Sequence, residues 1–322
     1  MKIPARLRSS VGGTAHGAAW LAELPTIGAR LATRWDLVIG PPFTSGMAAW
    51  TAPVRTRTGE DLVLKISLPH AEARDEAAAL RFWDGRGAVR LLADSPGDWG
   101  LLLERCTPGT SLADDDAPWR VRLAAAAAVL LMLVGPDARG GPAVDDPASG
   151  AVTGMRAVCD QGATALEDAA ARCRSAAAPL TVDPGIVARA AALLRELPRS
   201  VARTVVVHGD LNPGNILSAQ RGPARGPGWL AIDPKPLVGD PAYDPWPLLS
   251  QVDDPFERPD PVAALRERTA MFAGEAGLDI DRIAAWGLAR VVQSAFWYAR
   301  EGTWARARVE LDQARTWAAL SG

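Results

Sequence analysis

Two side chains suited to proton transfer and metal binding stand five positions apart in one short loop. Asp210 and Asn215 lie in Val205-Val206-Val207-His208-Gly209-Asp210-Leu211-Asn212-Pro213-Gly214-Asn215-Ile216-Leu217, where two apolar runs of β type enclose a stretch of turn formers. A second carboxylate, Asp233, closes the next apolar run, Trp229-Leu230-Ala231-Ile232. Moving a phosphoryl group onto a hydroxyl needs a carboxylate to take or orient the hydroxyl proton, plus oxygen ligands for magnesium beside the phosphates. Magnesium is a hard cation that takes one or two carboxylates and completes its shell with phosphate oxygens and water, which suits Asn215 and Asp233. A lone aspartate in a loop is usually a cap or turn residue. Asp210 is read otherwise because His208, Gly209, Asn215 and Asp233 accompany it in order. His208 itself reads as a buried, hydrogen-bonded histidine that orients the loop.

The elements that position these groups follow from periodicity. Residues 18–35 carry Trp20, Leu21, Leu24, Ile27 and Leu31 at helical spacing. Strand patterns follow at 35–39, 47–57 and 62–66, the last two joined by Thr58-Gly59-Glu60-Asp61 as a hairpin turn. Residues 72–83 read as a helix, and 89–92 and 100–104 as two further strands. From Pro118 helix dominates, with a buried helix over 123–134, a glycine- and proline-rich linker over 135–150, an amphipathic helix at 184–197, and further helices at 281–298 and 303–320. A β-rich island at 204–233 interrupts it, and residues 220–228 read as the hairpin connection that brings Asp233 beside Asn215. The economical reading is an α+β chain of two lobes, β-rich over 1–104 and mainly helical over 105–322. The hinge falls near 103–106, and a ligand cleft is expected between the lobes.

Composition sets the outer bounds. The chain has 322 residues, 48% of them hydrophobic, enough for a sizeable core. Its 35 basic and 37 acidic residues leave a net charge of −2, so no general attraction to nucleic acid or an anionic membrane is expected. Cys106, Cys159 and Cys173 lack metal-ligand or redox spacing, which points away from a zinc site or disulfide framework. No apolar leader segment and no membrane-length run is evident, so a soluble, cytoplasmic protein without an obligate protein partner is expected.

The segment from His208 to Asn215 resembles the catalytic loop of the aminoglycoside phosphotransferase and choline kinase superfamily, whose fold resembles that of protein kinases. The segment Ile232-Asp233-Pro234-Lys235-Pro236-Leu237-Val238-Gly239-Asp240-Pro241-Ala242-Tyr243-Asp244 is similar to the streptomycin 6-kinase and hydroxyurea phosphotransferase branch. The resemblance covers the chain from about Trp20 onward. It implies a protein-kinase-like fold, ATP as co-substrate, Mg2+ held by Asn215 and Asp233, and Asp210 as the base. Lys65, in Leu62-Val63-Leu64-Lys65-Ile66, matches the strand lysine that contacts the α- and β-phosphates. Glu76 matches the helix glutamate that pairs with it, with Glu72 as competitor. Backbone groups of Glu104 and Cys106 would meet adenine. The loop Pro42-Phe43-Thr44-Ser45-Gly46-Met47 has one glycine where protein kinases have three, so backbone at Thr44, Ser45 and Gly46 would cover the phosphates.

Within that branch the implied acceptor is a cationic aminocyclitol, streptomycin foremost, with hydroxyurea or another small alcohol or sugar as the alternative. A non-catalytic nucleotide-binding pseudokinase is disfavoured because every catalytic role is filled. A cationic acceptor calls for an acidic, aromatic-walled pocket. Its candidates are Asp240, Trp246, Asp253, Asp254 and Glu257 after the metal motif, then Gln293, Trp297 and Glu301 in a late helix. Asp240 and Asp244 are also expected to brace the metal loop and a helix start, and Asp114-Asp115-Asp116 reads as a solvated helix cap.

Overall fold

Apolar residues alternate along the early strands because one face of the sheet they form is covered by helix. The structure, a computed structural model, describes residues 1–135, 152–173, 180–221 and 227–321. All but Gly135 of the expected linker at 135–150, and most of the 220–228 connection, lie outside the described residues. Strands β1 (Leu37–Ile39), β2 (Ala49–Thr56), β3 (Asp61–Ser67), β4 (Leu91–Ser95) and β5 (Gly100–Glu104) form one antiparallel sheet in the order β1-β2-β3-β5-β4. Leu62, Leu64 and Ile66 of β3 enter a core with Leu7 and Val11 of helix α1 (Ala5–Val11) and Leu24, Ile27 and Leu31 of α2 (Ala15–Arg34). Thr14 starts α2 as its N-cap, its hydroxyl accepting from the Gly17 amide at 3.0 Å. The sequence reading omits α1, whose one buried stripe is only Leu7 and Val11. Lys65 points to the other face of β3, toward helix α3 (Glu76–Trp83).

By compactness the chain divides into two units, one of Met1–Gly109 with Ser218–Lys235, the other of Thr110–Leu217 with Pro236–Gly322. The chain passes between the two units three times. The reason is main-chain and side-chain bonding of the late segment: Ala231 N–H donates to Gly87 O at 2.8 Å, and Val89 N–H donates to Ala231 O at 3.1 Å. Arg221 adds a bond to Ala88 O at 2.9 Å and an ion pair with Glu104. Strand β8 (Ile216–Gln220) has β6 (Pro108–Ser111) on one side and β9 (Pro227–Ala231) on the other.

The second unit is built around helix α9 (Ile280–Arg300), which buries twelve side chains or glycines on successive turns. Around it pack α5 (Met155–Cys173), α6 (Pro184–Glu196), α7 (Pro245–Gln251), α8 (Pro261–Ala276) and α10 (Trp304–Leu320). Helix α4 (Trp119–Val134) packs on α8. Asp183, Asp260 and Asp279 cap the starts of α6, α8 and α9 through their carboxylates, the first two followed by proline at the first helical position. Strands β7 (Val205–Val207) and β10 (Leu237–Gly239) pair antiparallel, Val207 opposite Leu237 and Val205 opposite Gly239. Among the described residues no helix is long and apolar enough to cross a membrane.

Candidate active site

The first unit fixes a cation among carboxylates. Lys65 sits between β2 and β5, opposite Thr51 and Leu101, and is 5% exposed. Its Nζ donates to Glu76 Oε1 at 2.6 Å and Oε2 at 2.7 Å, and it also pairs with Asp233. Glu76 is therefore the partner of Lys65, and Glu72 instead lies 3.6 Å from the Lys235 ammonium. Burial alone would pull the Lys65 pKa down, but Asp233 and Glu76 outweigh it and hold the ammonium above the ordinary lysine value. Glu76 is pushed up to about 7, first by its own burial and then by the charge of Asp233, with Lys65 pulling it back. Asp233 is about half exposed and adopts φ +56°, a left-handed conformation that costs on the order of 1 kcal/mol for a non-glycine residue and is seen where a site demands it.

The second unit fixes a carboxylate among amides. Asp210 follows β7, half-buried, at the head of a loop that bonds to itself. Asn212 Nδ2 donates to Asp210 Oδ1 at 3.1 Å, while Asn212 Oδ1 accepts from Gly214 N at 2.9 Å and Asn215 N at 3.1 Å. Asn215 Nδ2 donates to the main-chain oxygen of Asp210 at 2.9 Å, which turns its Oδ1, an oxygen suited to magnesium, away from that bond. Asp244, fully buried, receives His208 N–H at 2.7 Å and Gly209 N–H at 2.8 Å. Burial raises the Asp244 pKa, against the pull of His208, the two amides and Arg290. Asp210 N–H donates to His208 Nδ1 at 3.3 Å, so the ring proton of a neutral His208 sits on Nε2. Gly209 has φ +82°, which a side chain would disfavour at this bend.

Other expected residues are placed as follows. Ser45 and Gly46 lie in the loop between β1 and β2, Ser45 exposed, and a Cβ at Gly46 would stand 2.4 Å from Ala49 O, so glycine is required there. Glu104 N–H already donates to Arg90 O at 2.9 Å, and its carboxylate holds Arg221, so its side chain is structural. Cys106 is half-buried, its thiol pushed up to about 12 chiefly by burial.

Two expected acceptor contacts are corrected. Asp240 is 1% exposed and accepts from Arg282 Nε at 2.6 Å, Trp286 Nε1 at 2.6 Å and Ala242 N at 3.0 Å, which makes it an internal clamp. Trp246 is buried in α7 with Arg290 stacked over its ring at 5.0 Å. Asp253 is held by Arg258 at 2.6 Å, and Asp254 caps the turn Pro255–Glu257. Gln293 is half-buried, its Nε2 pressed close to Gly162 of α5. Trp297 and Glu301 are exposed at the end of α9, with Trp297 edge-on to Tyr298 at 4.9 Å between ring centroids. The orienting role of Asn212 and the whole contribution of Arg290 escape the sequence reading. For Asn212 a signal existed, since Asn before Pro-Gly is a cap and turn former.

Taken singly, the half-exposed carboxylate of Asp233 in the first unit and the amide oxygen of Asn215 in the second are hard oxygen donors of the type magnesium takes; among the described residues there is no group of three or more His, Cys, Asp or Glu side chains that could hold a metal ion. The family described as "Aminoglycoside/hydroxyurea antibiotic resistance kinase" matches residues 34–302. The chain is 35% identical over 298 residues to streptomycin 6-kinase of Streptomyces glaucescens, covering 89% of this chain and 87% of that protein. It is 33% identical over 310 residues to hydroxyurea phosphotransferase of Kitasatospora aureofaciens, covering 94% and 82%. Among solved structures, an ethanolamine kinase of Plasmodium vivax is similar at TM-score 0.61 and 13% identity, covering 88% and 83%; that likeness speaks for the fold alone.

Proposed function

Because the chain belongs to the aminoglycoside/hydroxyurea antibiotic resistance kinase family, we propose that it phosphorylates a hydroxyl of a cationic aminocyclitol, with streptomycin as the acceptor. The chain is an antibiotic kinase of protein-kinase-like fold that uses ATP as co-substrate and acts on a hydroxyl of a small molecule. The observation that carries the proposed chemistry is Lys65, buried and yet held cationic by two carboxylates. Burying an ammonium brings no apolar gain and costs several kcal/mol unless it is paired; Glu76 and Asp233 supply that pairing and keep Lys65 a cation, the charge that contact with phosphate requires.

In this reading Lys65 contacts the α- and β-phosphates and Glu76 keeps its ammonium in register. Asp210 accepts the proton of the acceptor hydroxyl as that oxygen bonds to the γ-phosphorus and the bond to the β–γ bridging oxygen breaks, releasing ADP. Asn212 holds Asp210 Oδ1 in place for that transfer. Asn215 and Asp233 are the residues to hold magnesium, which would neutralise phosphate charge when bound. Trp297 and Glu301 are the candidates that keep the exposure and character a cationic acceptor needs.

The test is magnesium-dependent ADP release with streptomycin, other aminoglycosides and hydroxyurea, followed by mass analysis of the drug. Streptomycin-dependent ADP release with one phosphate added to the drug is expected. Turnover of hydroxyurea alone, which the 33% identity to a hydroxyurea phosphotransferase makes the second reading, overturns the acceptor and keeps the chemistry.

A further inference from the structure

The three peptide units that lead into Asp210 are each pinned by a hydrogen bond. His208 N–H and Gly209 N–H both end on the Asp244 carboxylate, at 2.7 and 2.8 Å. The peptide between Gly209 and Asp210 has its N–H on His208 Nδ1 at 3.3 Å and its oxygen on Arg290 Nη2 at 3.1 Å. Arg290 Nη1 donates to Tyr243 O, also at 3.1 Å. One guanidinium thus bridges the carbonyls of the residues just before Asp210 and just before Asp244. It is 9% exposed and lies over the rings of Tyr243 at 3.9 Å and Trp246 at 5.0 Å, with Asp244 as its counter-charge.

That arrangement uses what only arginine offers: a planar fork that reaches two carbonyls at once and stacks on aromatic faces. A cation buried merely to fill space would be a poor choice, since apolar residues of the same volume pack as well without the desolvation cost. On α9, Arg290 continues a face that begins with Arg282 and Trp286, both bonded to Asp240. The face is therefore a row of anchors for the Asp240–Asp244 segment, and Arg290 is the one that reaches through to the loop of Asp210.

The geometry points to Arg290 as the positioning residue of the reaction, fixing the Gly209–Asp210 peptide and with it the direction of the Asp210 carboxylate. This rests on the reading of Asp210 as the base. A displacement of about 1 Å at a reacting group costs on the order of 100-fold in rate, which sets the scale of the effect.

The experiment compares Arg290→Met and Arg290→Lys with the parent, alone and combined with Asp210→Asn, well below each variant's melting temperature. Streptomycin and hydroxyurea serve as acceptors. Arg290→Met is expected to lower kcat about 100-fold with KM for ATP within about threefold, the signature of an interaction that matters in the transition state. Arg290→Lys, which reaches one carbonyl, is expected to recover about a tenth or more of the parent kcat. In the Asp210→Asn background the Arg290→Met loss should shrink to about threefold or less, because the group it positions is gone. Hydrogen exchange of the 205–217 peptide is expected to quicken about tenfold in Arg290→Met while the other peptides hold, and this readout needs no acceptor. A kcat within threefold of the parent, an undiminished loss in the Asp210→Asn background, or unchanged exchange over 205–217 would each overturn the role. Full turnover by Asp210→Asn alone overturns the base reading instead, whatever Arg290 does.

Discussion

Cutting the Lys65–Glu76 pair from its two ends should give opposite results, and the charge count shows why. Lys65, Glu76 and Asp233 together carry −1, with Lys65 and Glu76 nearly inaccessible and Asp233 about half in water. Glu76→Gln brings the sum to zero. Lys65 keeps Asp233, and the amide oxygen at residue 76 still accepts one Nζ–H bond, so the cost is one weakened hydrogen bond and one poorly placed buried amide, about 1–2 kcal/mol. Lys65→Met brings the sum to −2. Asp233 can turn to solvent, but Glu76, 2% exposed, cannot, and an uncompensated buried charge costs about 3–5 kcal/mol.

The pH dependence separates the two further. The Glu76 pKa is raised from 4.5 to about 7, so the folded state binds the proton more tightly than the unfolded chain. Its contribution to stability is therefore full below the unfolded value and lost as pH rises through the folded one. Without Lys65 the folded value climbs further, so Lys65→Met should regain up to about 1.4 kcal/mol for each pH unit that it is acidified from 8 toward 6. Glu76→Gln should lack that slope. Urea unfolding at pH 8 and pH 6 reads both quantities. Equal destabilisation of the two variants at pH 8, or a Lys65→Met stability that ignores pH, would refute the charge argument and with it the picture of Lys65 as a cation held ready for an anion.

Asp210→Asn is expected to lower kcat about 10²–10⁴-fold with KM for ATP little changed, measured by the same ADP release; undiminished turnover would remove Asp210 from the base role. Asp244→Asn keeps the shape but leaves one of two buried amides on a weaker or repelling partner, so a loss of about 2–3 kcal/mol in urea unfolding is expected, and none would mean that the His208 and Gly209 amides find other acceptors. Cys106 and Cys159 both have thiols pushed from 9.0 to about 12, chiefly by burial. At pH 8 their thiolate fraction is then about a thousandfold below that of an exposed cysteine, and alkylation mapped by peptide should be correspondingly slow and should rise only in strong alkali. Rapid labelling of either at neutral pH would contradict its burial.

How much of this was legible in the sequence depended on how far each partner lay along the chain. Asp210 and Asn215 stand in one local loop, so turn chemistry and spacing marked them, while the orienting bond from Asn212 in the same loop went unread. Lys65 and Glu76 are eleven residues apart, one strand and one helix start, and the apolar flanks of Lys65 singled it out. Asp240 and Trp246 were misjudged because residue type suggests an acidic, aromatic pocket, whereas their partners come from α9: Arg282 is 42 residues and Trp286 46 residues beyond Asp240. Arg290 was invisible for the same reason, standing 81 residues from Gly209 in a helix whose other buried positions are mostly apolar.

That pattern carries a physical consequence. Groups that meet substrate must keep their chemistry at the surface of a loop or strand, so their types persist in recognisable local spacing. Groups that hold them in place need only the right donor at the right depth, and any element that packs nearby can supply it. In the second unit Asp244, which braces the loop of Asp210, and Asp240 of the same segment draw their counter-charges from one helix, Arg290 and Arg282 of α9. Loosening α9 would therefore disturb the loop of Asp210 without touching any residue of its motif. Substitutions along the Arg282–Trp286–Arg290 face should then alter turnover, while equally buried apolar positions of α9, such as Val291 and Leu288, should alter stability first.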